Sequence, residues 1–325
     1  MDAWWTFGLN AIPVLQTWGT TWIAAMKALS FLGSEQVYMF ILPLILWCLD
    51  AQLGVRLGIL LLGSSWLNAT LKLAAGLPRP YWVSQRVAPL AVETSYGLPS
   101  GHAQTTTAVY GGLATSLRGR WIVPLTLVLL FLIGWSRLVL GVHFAIDVIT
   151  GWVMGAVLLW AFIRLEAPFA RFLRRLTPGL RLSLPLLISL AMVAAGFLIR
   201  SGALERTLPA EWIMNAMRAD PHGPPLEPRL AADFVNPAGT LFGFGTGALL
   251  LGAWGRFTGR GRGWVLVGRF ALGLAGTLLI YYGLRAVLPS GESIAADGGR
   301  YLRYALVGFW LSYGAPRLFA WARLG

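Results

Sequence analysis

Cysteine is almost missing from this chain. The single Cys48 stands inside an apolar run, which excludes an intrachain disulfide framework and any CxxC metal or redox motif. Charge is scarce too: 12% of residues are Asp, Glu, Lys or Arg, about half the share in a soluble domain. Acidic residues are the scarcer sign, 13 against 26 basic ones. The loops carry no carboxylate cluster of the kind that holds Mg²⁺, so no metal site and no cofactor is expected. The opening M-D-A-W-W lacks a basic n-region and no clean A-x-A site follows the first apolar run, so no cleavable signal peptide is expected there.

What the chain has in quantity is apolar sequence. Of its 325 residues 57% are hydrophobic, 16 of them Trp, and the mean hydropathy is +0.66. Apolar runs of spanning length recur throughout, which predicts an all-α, polytopic transmembrane helical bundle. Residues 4–32 are aromatic-rich, broken by Pro13 and Lys27, and read either as an interfacial helix or as a poor span. Trp4, Trp5, Trp18 and Trp22 within them suit a membrane-interface belt better than a lipid clamp. Nine better candidates follow, near 35–49, 53–75, 102–117, 121–140, 143–163, 183–200, 234–253, 264–288 and 301–320. Residues 201–235 form the one long polar connection, either a lid or a linker, with His222 solvated between prolines. The expected organisation is a segment 1–34, a core 35–165 and a C-terminal membrane region 166–325.

A formal charge of +13 would suit a nucleic-acid binder, but the arginines sit in the short breaks between apolar runs. Alternate breaks hold 14 basic and 2 acidic residues, and the other set holds the remaining 12 basic and 11 acidic. The positive-inside rule makes the first set cytoplasmic, so no nucleic-acid partner is expected and 76–101 and 136–147 open on the opposite face. The glycines of F-G-F-G-T-G let helices approach closely. G-R-G-R-G (259–263) looks like a phosphate loop, but it lacks the G-K-[ST] ending and a preceding strand.

Three stretches share the non-cytoplasmic face: Lys72-L-A-A-G-L-P-Arg79-Pro80, Pro99-Ser100-Gly101-His102, and Ser136-Arg137 followed by His143 and Asp147. Alone, Lys72 would be a snorkelling lysine, Pro99–Gly101 a turn, and His143 a satisfied interior histidine. Together they offer three cations, two histidines, a serine, a glycine and a carboxylate, and ionisable groups at such depth mark function. The chemistry these types suit is phosphoryl transfer, where positioning and charge do most of the catalysis. Lys72, Arg79 and Arg137 would supply positive charge, and the N–H groups near Ser100–Gly101 a helix N-terminus for an anion. His143, oriented by Asp147 one helical turn on, would attack phosphorus, and His102 would protonate the leaving oxygen. Tyr81 and Trp82, directly after the first motif, stand near enough to touch a headgroup.

K-x6-R-P, P-S-G-H and S-R-x5-H-x3-D, in that order, resemble the three signature motifs of the type-2 phosphatidic-acid phosphatase superfamily. The resemblance covers about residues 35–163. E-T-S-Y-G-L-P-S-G-H-A and the additional C-terminal helices are more similar to the sphingosine-1-phosphate phosphatase branch than to the shortest bacterial members. The resemblance implies a six-helix core with the motifs converging at the membrane surface, a covalent phosphohistidine and no metal. Carried over, Lys72, Arg79, Ser100, Gly101 and Arg137 hold phosphate, His102 is the acid, His143 the nucleophile and Asp147 its partner. The expected protein is an integral membrane lipid phosphate phosphatase of a bacterial inner membrane, its site facing the periplasm or exterior. Its partners would be a lipid phosphate substrate and the bilayer; the sequence carries no signal for oligomeric state. A lipid phosphotransferase would share the first half-reaction, and a vanadate-dependent haloperoxidase would be soluble. A non-catalytic transporter or scaffold would have no need of the two histidines.

Overall fold

The computed structural model describes residues 3–252 and 262–324, so most of G-R-G-R-G lies outside the described residues, as does the side chain of Trp4. Every regular element among the described residues is helical. In order they are α1 (Ala3–Gln16), α2 (Thr20–Phe31), α3 (Glu35–Leu44, ending in a π turn Ile45–Leu49), α4 (Ala51–Ala75), the single turn α5 (Pro80–Val83), α6 (Gly101–Ser116) and α7 (Ile122–Val139). They continue with α8 (Ala145–Arg175), α9 (Pro178–Leu204), α10 (Ala210–Ala219), α11 (Ala232–Leu251), α12 (Gly263–Val287), α13 (Ile294–Phe309, then a π turn Trp310–Gly314) and α14 (Ala315–Trp321).

Among the described residues each of the nine expected runs is helical, and six segments are long and apolar enough to cross a membrane alone: Ala51–Val83 and helices α7, α8, α9, α11 and α12. A seventh crossing requires α2 and α3 with its π turn to act as one span bent by 46°. α6 has 16 residues, short of the roughly 20 needed to cross alone, and its one-turn motif Thr105–Thr107 is buried. The chain is therefore a multi-pass integral membrane protein. α7 illustrates the lipid-facing surface: Val123, Leu125, Leu127, Val128 and Phe131 are exposed on a helix of mean hydropathy 2.1. An apolar helix exposed over most of its circumference is stable in hydrocarbon rather than in water.

The fold divides into two compact units. The first comprises residues 1–37, 67–159 and 198–230, and the second comprises 38–66, 160–197 and 231–325. In the second, α11 and α13 approach backbone to backbone. A Cβ at Gly239 would lie 2.6 Å from the Tyr301 carbonyl oxygen, and one at Gly243 would overlap that of Ala305. Spaced four apart, these glycines form the small-residue ridge on which membrane helices pack. Arg269 is buried on α12, where its guanidinium donates to the Leu324 carbonyl at 2.6 Å and to that of Trp47 at 3.3 Å. Carbonyl partners are what make such a burial tolerable.

The first unit is built round Tyr81, Trp82, Tyr96, Val139, Leu140, Val142 and Phe144, with Leu9, Ile12 and Met26 contributed from α1 and α2. Tyr81 and Trp82 therefore point into the core, not towards a headgroup: Trp82 packs on Tyr96 and on Trp212 of α10. The polar connection contains α10, tied down by Asn215, which donates to the Trp82 carbonyl at 2.9 Å and accepts from Gln85 at 3.1 Å. His222 is exposed. Trp5 packs on Phe144, with ring centroids 5.3 Å apart, and Trp18 packs on Trp22. The N-terminal segment is thus a brace for the first unit, with Trp5 turned inward.

Candidate active site

All eight residues singled out in the sequence fall in the first unit. Lys72 lies in the last turn of α4, where a cation complements the exposed carbonyls. The helix stops there because Gly76 adopts φ +61° while its N–H bonds the Lys72 carbonyl at 2.9 Å. Leu77 and Pro78 carry the backbone on to Arg79, the N-cap of α5, and Pro80 follows at a helix-start position that needs no N–H. Ser100 is the N-cap of α6, and its own N–H donates to the Asp147 carbonyl at 2.9 Å, tying the second motif to the third. Gly101 lies against Asn68, whose Oδ1 would be 3.0 Å from any added Cβ.

The third motif begins on α7 and ends on α8. His143 is not on the helix: Gly141, at φ +72°, breaks the chain, and α8 starts only at Ala145. The expected helical face-sharing of His143 and Asp147 is therefore replaced by a helix-start arrangement. Asp147 folds back so that its Oδ2 accepts from the Phe144 N–H at 2.9 Å and lies 3.2 Å from His143 Nδ1. The other ring nitrogen, Nε2, is 3.2 Å from Arg79 Nη1. A guanidinium can only donate, so Nε2 carries the lone pair and Nδ1 the proton given to Asp147. His143, Asp147, Arg79, Arg137 and Ser100 are all nearly or fully buried.

Arg79 is held by carbonyls of Ser95 at 2.6 Å, Val142 at 2.9 Å and Tyr96 at 3.2 Å. Arg137 donates to Ser30 Oγ at 2.6 Å, a contact from α2. Lys72 Nζ donates to Ser95 Oγ at 2.8 Å. Two buried polar atoms have no hydrogen-bond partner here, Ser100 Oγ and Arg137 Nε. Unsatisfied groups of this kind, on a helix N-terminus and a guanidinium, suit an oxyanion. His102 follows Ser100 in the first turn of α6, and its Cδ2 would be 3.0 Å from a Cβ at Gly33, so the turn between α2 and α3 packs closely on the ring and a larger residue there would push against it. Among the described residues no three His, Cys, Asp or Glu side chains gather as metal ligands.

Glu93 was not singled out in the sequence, although it opens the E-T-S-Y-G stretch. Its Oε2 is 3.2 Å from Arg79 Nη2, and its Oε1 pairs closely with Arg137 Nη2. Burial pushes its carboxyl up, but the charges of Arg79, Arg137 and Lys72 outweigh that and hold it well below the usual carboxylate range. Only spacing from the P-S-G-H motif could have pointed to it, since a single glutamate in a polar loop carries no pattern. Ser30, Gly33 and Ser95 were equally unmarked.

Buried cations thus converge on an oriented imidazole inside a multi-pass membrane protein, and the comparisons give its class. Residues 53–171 match the PAP2 superfamily, and residues 235–325 match the PAP2 superfamily phosphatase transmembrane extension. The chain belongs to the PAP2 superfamily. It is 32% identical over 139 residues to rat sphingosine-1-phosphate phosphatase 1, covering 40% of this chain and 32% of that one. Undecaprenyl-diphosphatase of Sulfolobus acidocaldarius is 30% identical over 145 residues, covering 44% and 69%. Glucose-6-phosphatase 3 of Bos taurus is 28% identical over 244 residues, covering 66% and 67%. The match spans about a third of the length of the sphingosine-1-phosphate phosphatase relative. No solved structure gives a significant match.

Proposed function

We propose that this protein hydrolyses the phosphate ester or diphosphate of a membrane lipid, without metal, through a phosphohistidine on His143. The observation that carries this reading is the pairing at His143. Nδ1 is held by Asp147 at 3.2 Å, which leaves the Nε2 lone pair 3.2 Å from the guanidinium of Arg79. A phosphoryl group bound by Arg79, Arg137, Lys72, Ser100 Oγ and the first N–H groups of α6, including that of Gly101, would present phosphorus to that lone pair. The N–P bond forms as the bond from phosphorus to the leaving oxygen breaks, and His102 delivers the proton that the leaving oxygen requires. Water then attacks phosphorus, its proton passes to His102, and the N–P bond breaks to release inorganic phosphate. Three fixed cations supply the charge stabilisation that a divalent ion supplies elsewhere.

A lipid substrate suits a site on a protein whose helices are exposed to hydrocarbon, and relatives named for lipid phosphates support it. The charge bias between alternating breaks supports a bacterial inner-membrane setting with the site on the periplasmic or exterior face. On this reading residues 35–165 form the catalytic core, 1–34 brace it, and 166–325 are an added membrane region. The test is phosphate release by detergent-purified protein from a panel of lipid phosphates and diphosphates, with glucose 6-phosphate beside them and EDTA present. Release from at least one lipid, lost in His143→Ala, is expected. No release from any lipid, or a chelator-sensitive activity restored by Mg²⁺, would overturn the proposal.

A further inference from the structure

We propose that Glu93 is an internal competitor for the phosphate seat: its carboxylate occupies the arginine edges that the phosphoryl group needs and must turn away for substrate to bind. The inference rests on the phosphate-binding reading of Arg79 and Arg137 given above. One Glu93 oxygen pairs with Arg79 Nη2 at 3.2 Å, and the other pairs with Arg137 Nη2. A single planar anion thus spans both guanidiniums, which is how two oxygens of a phosphoryl group would be taken. A carboxylate and a phosphoryl group cannot share those edges, since like charges in contact inside a buried pocket repel strongly.

The geometry also shows how the exchange proceeds. Both arginine side chains are essentially buried, at 0% and 2% exposure, while that of Glu93 is 22% exposed. Glu93 is therefore the member of the cluster that an incoming anion meets and the one with a path outwards. Its backbone is held independently, because the Glu93 carbonyl accepts from Tyr81 Oη at 2.5 Å and the Ser95 carbonyl accepts from Arg79 Nε at 2.6 Å. Rotation of the side chain alone vacates the seat and leaves the loop in place. Until then the carboxylate keeps two buried guanidiniums paired, which removes the cost of leaving them bare.

The experiment measures inhibition by orthovanadate and binding of inorganic phosphate in the detergent-purified full chain. Wild type is compared with Glu93→Gln, Glu93→Asp and Arg79→Gln. Glu93→Gln removes the charge, and Glu93→Asp keeps the charge but shortens the reach so that one carboxylate no longer spans both arginines. Competition predicts that both Glu93 variants bind vanadate about tenfold more tightly, the worth of one charge-assisted contact removed. Tightening in Glu93→Gln alone would mean that the carboxylate repels from a fixed place, and weakening in both that it only holds the arginines in position. Either result overturns the proposal. If wild type binds vanadate and Arg79→Gln does not, the phosphate seat stands whatever Glu93 does; if wild type binds neither anion, the seat itself fails and this proposal with it.

Discussion

Asp147→Asn isolates charge from geometry at the proposed nucleophile. Both hydrogen bonds that Asp147 accepts, from the Phe144 N–H at 2.9 Å and from His143 Nδ1 at 3.2 Å, converge on the same oxygen, Oδ2. The carbonyl oxygen of an asparagine amide can take that one position and accept both. The His143 tautomer is then preserved, with its lone pair still on Nε2, and the backbone bond from Ser100 to the Asp147 carbonyl is untouched. What disappears is the negative charge that stabilises the ring as it becomes cationic on attack. A hydrogen bond to a charged group is worth about 1.5–3 kcal/mol, so kcat should fall about 10- to 150-fold. KM should change little, because the phosphate-binding cations are elsewhere. The assay is steady-state phosphate release from the best substrate of the panel. A loss approaching 10⁴-fold, the size expected when the tautomer is inverted, would refute the shared-oxygen geometry. An unchanged kcat would refute the partnership of Asp147 with His143.

Further outcomes follow from the same site and fold. His102→Ala should lower turnover of an alkyl phosphate by about 10²–10⁴-fold but spare a p-nitrophenyl ester, whose leaving group needs no acid; equal losses on both would make His102 a phosphate ligand only. A cysteine at Ser201 or His222 in a Cys48→Ser background should react with an impermeant maleimide in intact cells, and one at Thr177 only after lysis. The reverse pattern would put the site on the cytoplasmic face. Gly243→Ala, which drives a Cβ into the Ala305 carbonyl, should cost about 1–3 kcal/mol of stability by overpacking, read as a lower melting temperature in detergent. A melting temperature equal to wild type would show that α11 and α13 can separate without penalty.

The spans were readable because membrane helices are written as long apolar runs, and α6 is one of the runs too short for a full crossing of about 20 residues. Its length and its buried Thr105–Thr107 step mark a helix enclosed by protein. The eight candidate residues could be picked out because motif spacing keeps lysine, arginine and histidine types at fixed intervals, and the fold brings them into one unit. His143 lies off the helix because Gly141 interrupts it, and a sequence of apolar residues on either side does not announce a positive φ. Glu93, Ser30 and Gly33 were not readable at all. Each acts through a contact with a residue far along the chain, Arg137 for the first two and His102 for the third, and no local pattern encodes such a meeting. Trp5 likewise packs on Phe144, beside the proposed nucleophile, a contact that composition does not encode.

The most direct test of the phosphohistidine is chemical. Purified protein is mixed with a lipid phosphate carrying ³²P, quenched within the first turnover in alkali, where a phosphoramidate survives, and digested. The account predicts transient label on the peptide containing His143, stable to alkali and lost in acid, and absent from the His143→Ala protein. Label on Ser100 or His102, or continued turnover of the His143→Ala protein, would contradict it.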